Sequence, residues 1–541
     1  MDPPKIRQTL SDDVLIGKPW SRARLWNREP LDDFYAEALE KYGTDDAISE
    51  EQEKKLRRKI DYTILPVLAV CYAFYYIDKT TLSYAAIFGI KDDLHLEGTE
   101  YSWLSSIFYF GWLIWALPTN MLMLKSPPAK YLAINIFLWG ALLMAQAGVT
   151  NFAGLAALRI LSGAAEAIAD PAFMLITVSS YTRAEQPSRI STWYAANGLG
   201  VAGGGMLGYG IGHIKGRLAS WRYEFLIVGA LCCAWGIVIY FVLPDSPVTS
   251  QWLTREERLM AVARLRKNQT GIDNKQFKWY QAKEAFLKDP KTYLFFFLGV
   301  VGNIPNGGIS NFSTLILNGL GFDVLETSLL GIPQGALVCI YIGLGAYLND
   351  RLPKNSRTLV CMLFMLPTIG GTLGFLLAPQ NANVGRLICY YLTGSYQASF
   401  VLGVSLITSN VAGQTKKQIA SAMIWLGACV GNIGGPFFYR SQDAPEYRLG
   451  IGSMLVCNCL EVLIFIVFRL YFIAENRRRD RLQAKTTAEE VAENTESKVA
   501  KTIAESKAVV EMTEEVDGAR GANVDINATA FADLTDFENL K

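Results

Sequence analysis

The sequence predicts an all-α membrane protein of twelve transmembrane helices in two six-helix halves, with both termini cytoplasmic. Three observations predict it. The apolar residues come in long blocks rather than at core periodicity, and long apolar blocks mark membrane spans. Charged residues make up only 19% of the 541 residues, against about 25% in soluble domains. Those charges are also segregated into the N-terminal arm, one central loop and the C-terminal tail.

The predicted spans are Thr63–Phe88, Ser102–Leu124, Tyr131–Val149, Gly154–Ser180, Ser191–His213, Phe225–Leu243, Thr292–Ile316, Thr327–Leu348, Thr358–Leu377, Leu387–Ser409, Gln418–Tyr439 and Gly450–Phe472. A helix needs about 20 apolar residues to cross the hydrocarbon, and it satisfies its own backbone groups there. The chain then divides into an N-terminal arm (1–60), a first half (61–243), a linker loop (244–291), a second half (292–473) and a tail (474–541). The opening sixty residues are polar and do not read as a cleavable signal, so the first span is expected to be an uncleaved anchor.

Basic loops set the orientation. Lys54, Lys55, Arg57, Arg58 and Lys59 precede the first span, and Arg477, Arg478, Arg479 and Arg481 follow the last. Lys125, Lys130, Arg183, Arg189, Arg351, Lys354, Arg357, Lys416 and Lys417 fall on the same side if the spans number twelve. The opposite loops carry few basic residues, such as Lys91, Arg386 and Arg448. The positive-inside rule puts the basic side in the cytoplasm. Within the linker loop, Thr254–Lys267 is a charged helical stretch that reads as a solvated helix. The tail composition reads as disordered or partly helical.

Glycine spacing suggests two matching halves. Span five carries Gly200, Gly204, Gly208 and Gly212, and span eleven carries Gly427, Gly431 and Gly435, each at intervals of four. Span eight adds Gly331, Gly335 and Gly343. Small residues at i, i+4 let membrane helices approach closely, and two parallel six-helix halves enclose a site between them. Generic glycine enrichment is the blander alternative.

Charges within spans cost about 2.5–3.5 kcal/mol each on insertion scales, so they need partners or a watery cavity. Span one holds Asp78 and Lys79; span four holds Arg159, Glu166 and Asp170; span twelve holds Glu461 and Arg469. Arg159 and Glu166 are seven residues apart, nearly two turns, which puts both on one face about 10 Å apart along the axis. Together with span one they supply two cations for a substrate carboxylate and two carboxyls for protons. Burial raises a carboxyl pKa and a nearby cation lowers it, so a carboxyl balanced between them titrates near physiological pH. The competing reading is that these charges neutralise one another as structural pairs. Asp170, just before Pro171, reads as structural, and Glu461 and Arg469 as packing or interface residues. Polar side chains that could shape a pocket are Tyr76, Tyr109, Asn197, Asn303, Asn306, Tyr396, Gln397 and Asn432, each with the alternative of a simple interhelical hydrogen bond. Pro305, Gly307 and Gly308 are expected to interrupt span seven.

Other chemistry is poorly supplied. All nine cysteines lie in apolar blocks and read as small packers, with neither a disulfide framework nor a metal site indicated. His95 and His213 are the only histidines. The net charge of +1 gives nucleic acid nothing to bind. No GxxxxGK, GxSxG or HExxH pattern occurs, so neither an ATP-driven pump nor an enzyme is indicated, and no cofactor is expected. The sequons at Asn268 and Asn527 fall on the predicted cytoplasmic side, and that at Asn311 inside a span.

From about Arg57 to Arg481 the sequence resembles the anion:cation symporters of the major facilitator superfamily, and within them the fungal allantoate permease group. The resemblance rests on Tyr75-Tyr76-Ile77-Asp78-Lys79-Thr80-Thr81-Leu82-Ser83-Tyr84-Ala85 and Tyr101-Ser102-Trp103-Leu104-Ser105-Ser106-Ile107-Phe108-Tyr109. It continues with Arg159-Ile160-Leu161-Ser162-Gly163-Ala164-Ala165-Glu166 and Pro171, Glu185-Gln186-Pro187-Ser188-Arg189, Leu243-Pro244-Asp245-Ser246-Pro247, Asn268-Gln269-Thr270-Gly271-Ile272 and Ile304-Pro305-Asn306-Gly307-Gly308. The ending Phe531-Ala532-Asp533-Leu534-Thr535-Asp536 is similar to the group's too. The resemblance implies proton-coupled import of a small organic anion such as allantoate, ureidosuccinate or nicotinate, by alternating access across the plasma membrane. It implies that Lys79 and Arg159 engage the anion with Tyr76, Tyr109 and Asn197 beside them, and that Asp78 and Glu166 handle protons. The partners expected are therefore the anion, the proton and the lipid bilayer, with the chain acting as a monomer. The wider family commonly has Arg where Lys79 stands, and an ammonium lacks the bidentate fork of a guanidinium. The motif between spans two and three is degenerate, Lys125-Ser126-Pro127-Pro128-Ala129-Lys130, while Asn349-Asp350-Arg351 keeps its second-half counterpart better. An exporter of a fungal metabolite and a non-transporting nutrient receptor remain as rival readings.

Overall fold

The computed structural model describes residues 31–42, 48–182, 185–266, 278–353, 356–379 and 381–508. The sequons at Asn268 and Asn527, the 268–272 motif and the 531–536 motif lie outside these residues. The described secondary structure is helical throughout. Helix α1 (Leu31–Tyr42) precedes α2 (Glu50–Ile87), the single turn α3 (Ile90–Asp93), α4 (Glu100–Leu124), α5 (Pro128–Gln146), α6 (Phe152–Glu166), α7 (Ala169–Ser180), α8 (Gln186–Tyr194), α9 (Ala196–Gly212) and α10 (Ser220–Val242). The central loop carries α11 (Arg255–Arg266) and α12 (Trp279–Leu287). The second half consists of α13 (Pro290–Asn318), α14 (Val324–Leu329), α15 (Gly331–Arg351), α16 (Arg357–Leu377), α17 (Asn383–Leu392), α18 (Tyr396–Asn410), α19 (Gln414–Gly434) and α20 (Arg448–Ala508). Among the described residues, eight helical rods are long and apolar enough to cross a membrane. The other four predicted spans are helical as well, over α4, α8–α9, α13 and α17–α18, but fall below that length or apolarity.

Packing repeats six spans later. Helix α9 lies on α2 as α19 lies on α13, α10 lies on α5 as α20 lies on α16, and α6 lies on α4 as α18 lies on α15. The glycine stripes are the reason two of these pairs come so close. A methyl at Gly200 would stand 2.5 Å from the Ala73 carbonyl oxygen, and Gly204, Gly208 and Gly212 receive Thr80, Tyr84 and Phe88 in turn. The α19 stripe does the same to α13, with Gly427, Gly431 and Gly435 set against the carbonyls of Phe296, Val300 and Ile304. In span eight, Gly331 and Gly335 meet the first half, whereas Gly343 faces open space and packs against nothing.

Two expectations change. Helix α13 runs unbroken through Pro305, because Gly307 and Gly308 provide close approach rather than a break: they face Asn432 and Tyr439. Breaks occur instead in span four between Glu166 and Ala169, in span five at Ala195 and in span ten at residues 393–395. The first has a covalent cause, since the Pro171 ring denies a donor to, and crowds, the carbonyl four residues back. The charged linker stretch is a docked helix rather than a solvated one. Leu259, Met260, Ala261 and Ala263 of α11 are buried, and Arg264, only 2% exposed, donates to Glu185 Oε1 at 3.1 Å. In the tail, α20 continues as helix to Ala508.

The molecule has two distinct ends. One, here the head, holds α3 and the 319–323 and 441–447 loops; the other, the base, holds α1, α11 and α12. Hydrogen bonds fasten the two halves at the head. Ser83 Oγ meets Thr314 Oγ1 at 2.8 Å, the Tyr101 hydroxyl donates to the Asn311 carbonyl at 2.7 Å, and Ser106 Oγ donates to the Ile433 carbonyl at 2.7 Å. At the base the loop helices dock on different halves: α11 on α1, α2 and α7, and α12 on α13 and α19. Lys416 there is fully buried and ion-paired at 2.8 Å with both Glu284 and Asp289. The Lys41 ammonium hydrogen-bonds Glu256 and holds its carboxyl below the usual range.

Two glycine substitutions separate close packing from mere glycine content. Gly200→Ala forces a methyl into the α2 backbone and is expected to lower stability by about 1–3 kcal/mol. Gly210→Ala meets nothing within 4 Å and is expected to be neutral or stabilising by up to about 1 kcal/mol. Melting temperatures of the two purified variants check the contrast; equal losses would show that the stripe does not set the α2–α9 distance.

Candidate functional site

Helix α2 carries Asp78 and Lys79 to mid-height, where they face α4 and α6. Asp78 Oδ2 accepts from the indole Nε1 of Trp139 at 3.3 Å, and Trp139 is itself stacked on Tyr75 with ring centroids 4.9 Å apart. The carboxylate is thereby held by α5, and its Oδ1 has no partner. The Lys79 ammonium lies 4.9 Å from the centre of the Tyr76 ring. Arg159, on α6, donates from Nε to the Leu104 carbonyl at 3.2 Å and stands 5.1 Å over the Phe108 ring, while its Nη1 is buried and unpartnered. Glu166 is the last residue of α6, at the break before α7, and its Oε2 is buried and unpartnered. Asp170 opens the next segment and lies within electrostatic reach of Glu166, as do Lys79, Asp78 and Arg159.

None of these charges forms an ion pair within 4 Å with another described residue. Asp78, Lys79, Arg159 and Tyr109 instead line one pocket, together with Ser105, Phe108, Ser310 and Asn311. The pocket therefore sits between α2, α4 and α6 of one half and α13 of the other.

The predicted neighbours divide. Tyr109 lines the pocket, and Tyr76 supports Lys79 from beside it. Asn197 stands apart at the start of α9, fully buried, and donates from Nδ2 to Gln397 Oε1 of α18 at 3.1 Å. From there a polar chain crosses the second half. Gln397 donates to the Tyr396 hydroxyl at 3.0 Å, Tyr396 to Asn306 Oδ1 at 3.2 Å, and Asn306 and Asn432 both to Asn303 Oδ1, at 3.3 and 3.2 Å. The six amides and hydroxyls that the sequence marked only singly thus form one network.

Sequence reasoning missed Trp139, Ser105, Phe108, Ser310 and Asn311. Only Asn311 carried a local signal, as a polar residue within an apolar span. It also gave Glu461 little weight. That carboxyl is buried in α20, both oxygens lack a hydrogen bond, and it lies beside Gly302 and Phe400.

Comparisons with known proteins agree with this architecture. A family model described as Major Facilitator Superfamily matches residues 68–438. An uncharacterized transporter of Schizosaccharomyces pombe is 40% identical over 455 residues, covering 82% of this chain and 86% of its own. The allantoate permease of Saccharomyces cerevisiae is 35% identical over 463 residues, covering 83% and 84%. Among solved structures, a bacterial homolog of the human lysosomal transporter Spinster, inward-facing and unoccupied, shares the fold with a TM-score of 0.57 at 14% identity, covering 76% of this chain and 96% of that one. A D-xylose–proton symporter does so with a TM-score of 0.55 at 14% identity, covering 75% and 96%. The chain belongs to the major facilitator superfamily, in a group with the fungal allantoate permease-like transporters, and is a transporter rather than an enzyme.

Proposed function

We propose that this protein imports a small organic anion together with protons across the plasma membrane, by alternating access, as a monomer of twelve spans. The single observation that supports it most is a pair of cations without anionic partners. Lys79 and the outer edge of Arg159 face a pocket with donors to spare, and a carboxylate is the ligand such donors accept. The similarity to an allantoate permease favours a carboxylate of that size class. Basic residues crowd the base, which the positive-inside rule assigns to the cytoplasm. With the head fastened, the pocket then corresponds to an inward-facing state.

Charge balance supplies the coupling. A charge in a low-dielectric site is costly unless matched. Asp78, Glu166 and Asp170 set three carboxyls against two cations, so an empty neutral site holds one proton on a carboxyl. A monovalent anion adds one negative charge, and one further proton restores neutrality. In the outward-facing state the proton and anion enter together. The neutralised site then permits the halves to rock, and the anion leaves at the base. Asp78 is tethered by Trp139, which leaves Glu166, at the helix break, as the carboxyl assigned to proton exchange.

Labelled uptake tests the reading in cells lacking related permeases, with allantoate, ureidosuccinate, nicotinate and pantothenate at acidic and neutral external pH. Uptake of one anion that rises with acidity and collapses with a protonophore is expected. Efflux without uptake would favour an exporter, and neither would favour a receptor. Arg159→Gln removes a charge-assisted contact and is expected to weaken apparent affinity by roughly 10–150-fold; an unchanged KM would remove Arg159 from the anion site. Glu166→Gln fixes the neutral form, so it is expected to retain substrate exchange while losing the acid stimulation of uptake. Stimulation equal to wild type would move the proton to another carboxyl.

A further inference from the structure

Another cation without an ionic partner among the described residues lies far from the central pocket, at the head. Arg386, on the first turn of α17, is 7% exposed. Its guanidinium centre rests 4.5 Å over the ring of Phe375, at the end of α16. Its buried Nε has no hydrogen-bond partner, and no ion pair with a described residue compensates its charge. Leaving a buried guanidinium uncompensated is costly, and nothing in the central site accounts for it.

The guanidinium does not face a wall. It lines a small surface cleft with Phe375, Leu376, Ala378, Glu446 and Arg448, where the head ends of α16, α17 and α20 converge. Arg448 is ion-paired to Glu446, so those two offset each other and the cleft keeps one net positive charge, on Arg386. The stack on Phe375 fixes the guanidinium plane, and a fixed fork binds an oxyanion with less loss of freedom than a mobile one. An arginine held in this way beside a cleft, with an N–H still unsatisfied, is suited to a carboxylate or phosphate oxygen.

We propose that this head cleft is a second anion-binding site, with Arg386 as its principal ligand and an oxyanion group as its occupant. The oxyanion belongs either to an anionic lipid headgroup or to a small soluble anion outside the membrane. The site is separate from the central pocket and stands whether or not the transported substrate is a carboxylate.

The test is thermal stability of the purified full chain in phosphatidylcholine nanodiscs. One arm titrates inorganic phosphate against chloride at matched ionic strength; the other replaces part of the lipid by phosphatidylserine. The wild type is expected to melt higher in at least one arm, and the arm that responds identifies the source. Arg386→Gln is expected to need about tenfold more phosphate for the same shift, or to lose the phosphatidylserine response, the loss of one charge-assisted contact. Arg159→Gln is expected to keep the part of the response that Arg386→Gln removes. A wild type that responds in neither arm, or an Arg386→Gln protein that responds like wild type in both, would overturn the proposal. Should Arg386→Gln fail to fold, Glu446→Gln decides: removing the cleft's own carboxylate is expected to strengthen the response, and an unchanged or weaker one overturns the site.

Discussion

Everything at the centre of this molecule depends on keeping charged side chains buried and close while preventing them from pairing. Lys79, Arg159, Asp78 and Glu166 come from two helices, and none forms an ion pair within 4 Å with a described residue. Direct pairing would satisfy the charges and leave no free donors for a ligand. The structure holds each one through a different neighbour instead. Trp139 takes one oxygen of Asp78, the Leu104 carbonyl takes Arg159 Nε, and the Tyr76 ring lies beside Lys79. These tethers are neutral, so they orient the charges without cancelling them. Under the proposed function, the remaining demand for counter-charge is what draws an anion to the pocket.

Helix packing turns that local arrangement into a device with two halves. Glycines on α9 and α19 let α2 and α13 be gripped along several turns by their own halves, so the charged stretch of α2 moves with the first half as one body. Contacts between halves are of another kind. Close crossings occur here too, of Gly198 with Gly335 and Gly205 with Ser328, as do ring contacts such as Tyr101 with Phe312, but hydrogen bonds from serine, threonine, tyrosine and asparagine side chains join the halves at the head and at mid-height. Each such bond contributes about 0.5–1.5 kcal/mol net, because water replaces it on opening. Tight packing within halves, with exchangeable bonds among the contacts between them, suits the rocking of the proposed function.

Much of this was legible in the sequence, and the residues show why. The glycine stripes predicted the close helix pairs because small-residue spacing and helix pitch are both local properties of a chain. Asp78, Lys79, Arg159 and Glu166 stood out because charge in an apolar block is costly wherever the helix ends up. Trp139 was invisible, since an indole in an apolar span looks like core until a carboxylate is seen beside it. The network from Asn197 through Gln397 and Tyr396 to Asn432 was equally invisible, because it joins α9, α18, α13 and α19 across up to 200 residues of chain. Pro305 misled for a related reason. A proline weakens a helix locally, but α13 packs tightly enough along α19 to continue through it. Docking of α11 was missed because its run of charges draws attention from the buried residues, Leu259, Met260, Ala261 and Ala263, that hold it.

Lys79 stands where the family resemblance leads one to expect arginine, and the geometry gives that difference a consequence. An ammonium is a strongly hydrated point charge, whereas a guanidinium is a weakly hydrated fork. Arg159 already supplies a fork, fixed by Leu104 and Phe108. Adding Lys79 provides a second charge without a second fixed plane, so the pocket demands a charge of a ligand at two points but a planar geometry at only one. A ligand with one carboxylate and a polar remainder satisfies that demand as well as a dicarboxylate does. Under the proposed coupling each substrate charge brings its own proton, so mono- and dianionic ligands differ in proton count rather than in whether they fit. On the proposed function, selectivity falls on the neutral lining, Ser105, Phe108, Tyr109, Ser310 and Asn311, because charge alone discriminates anion from non-anion and little more.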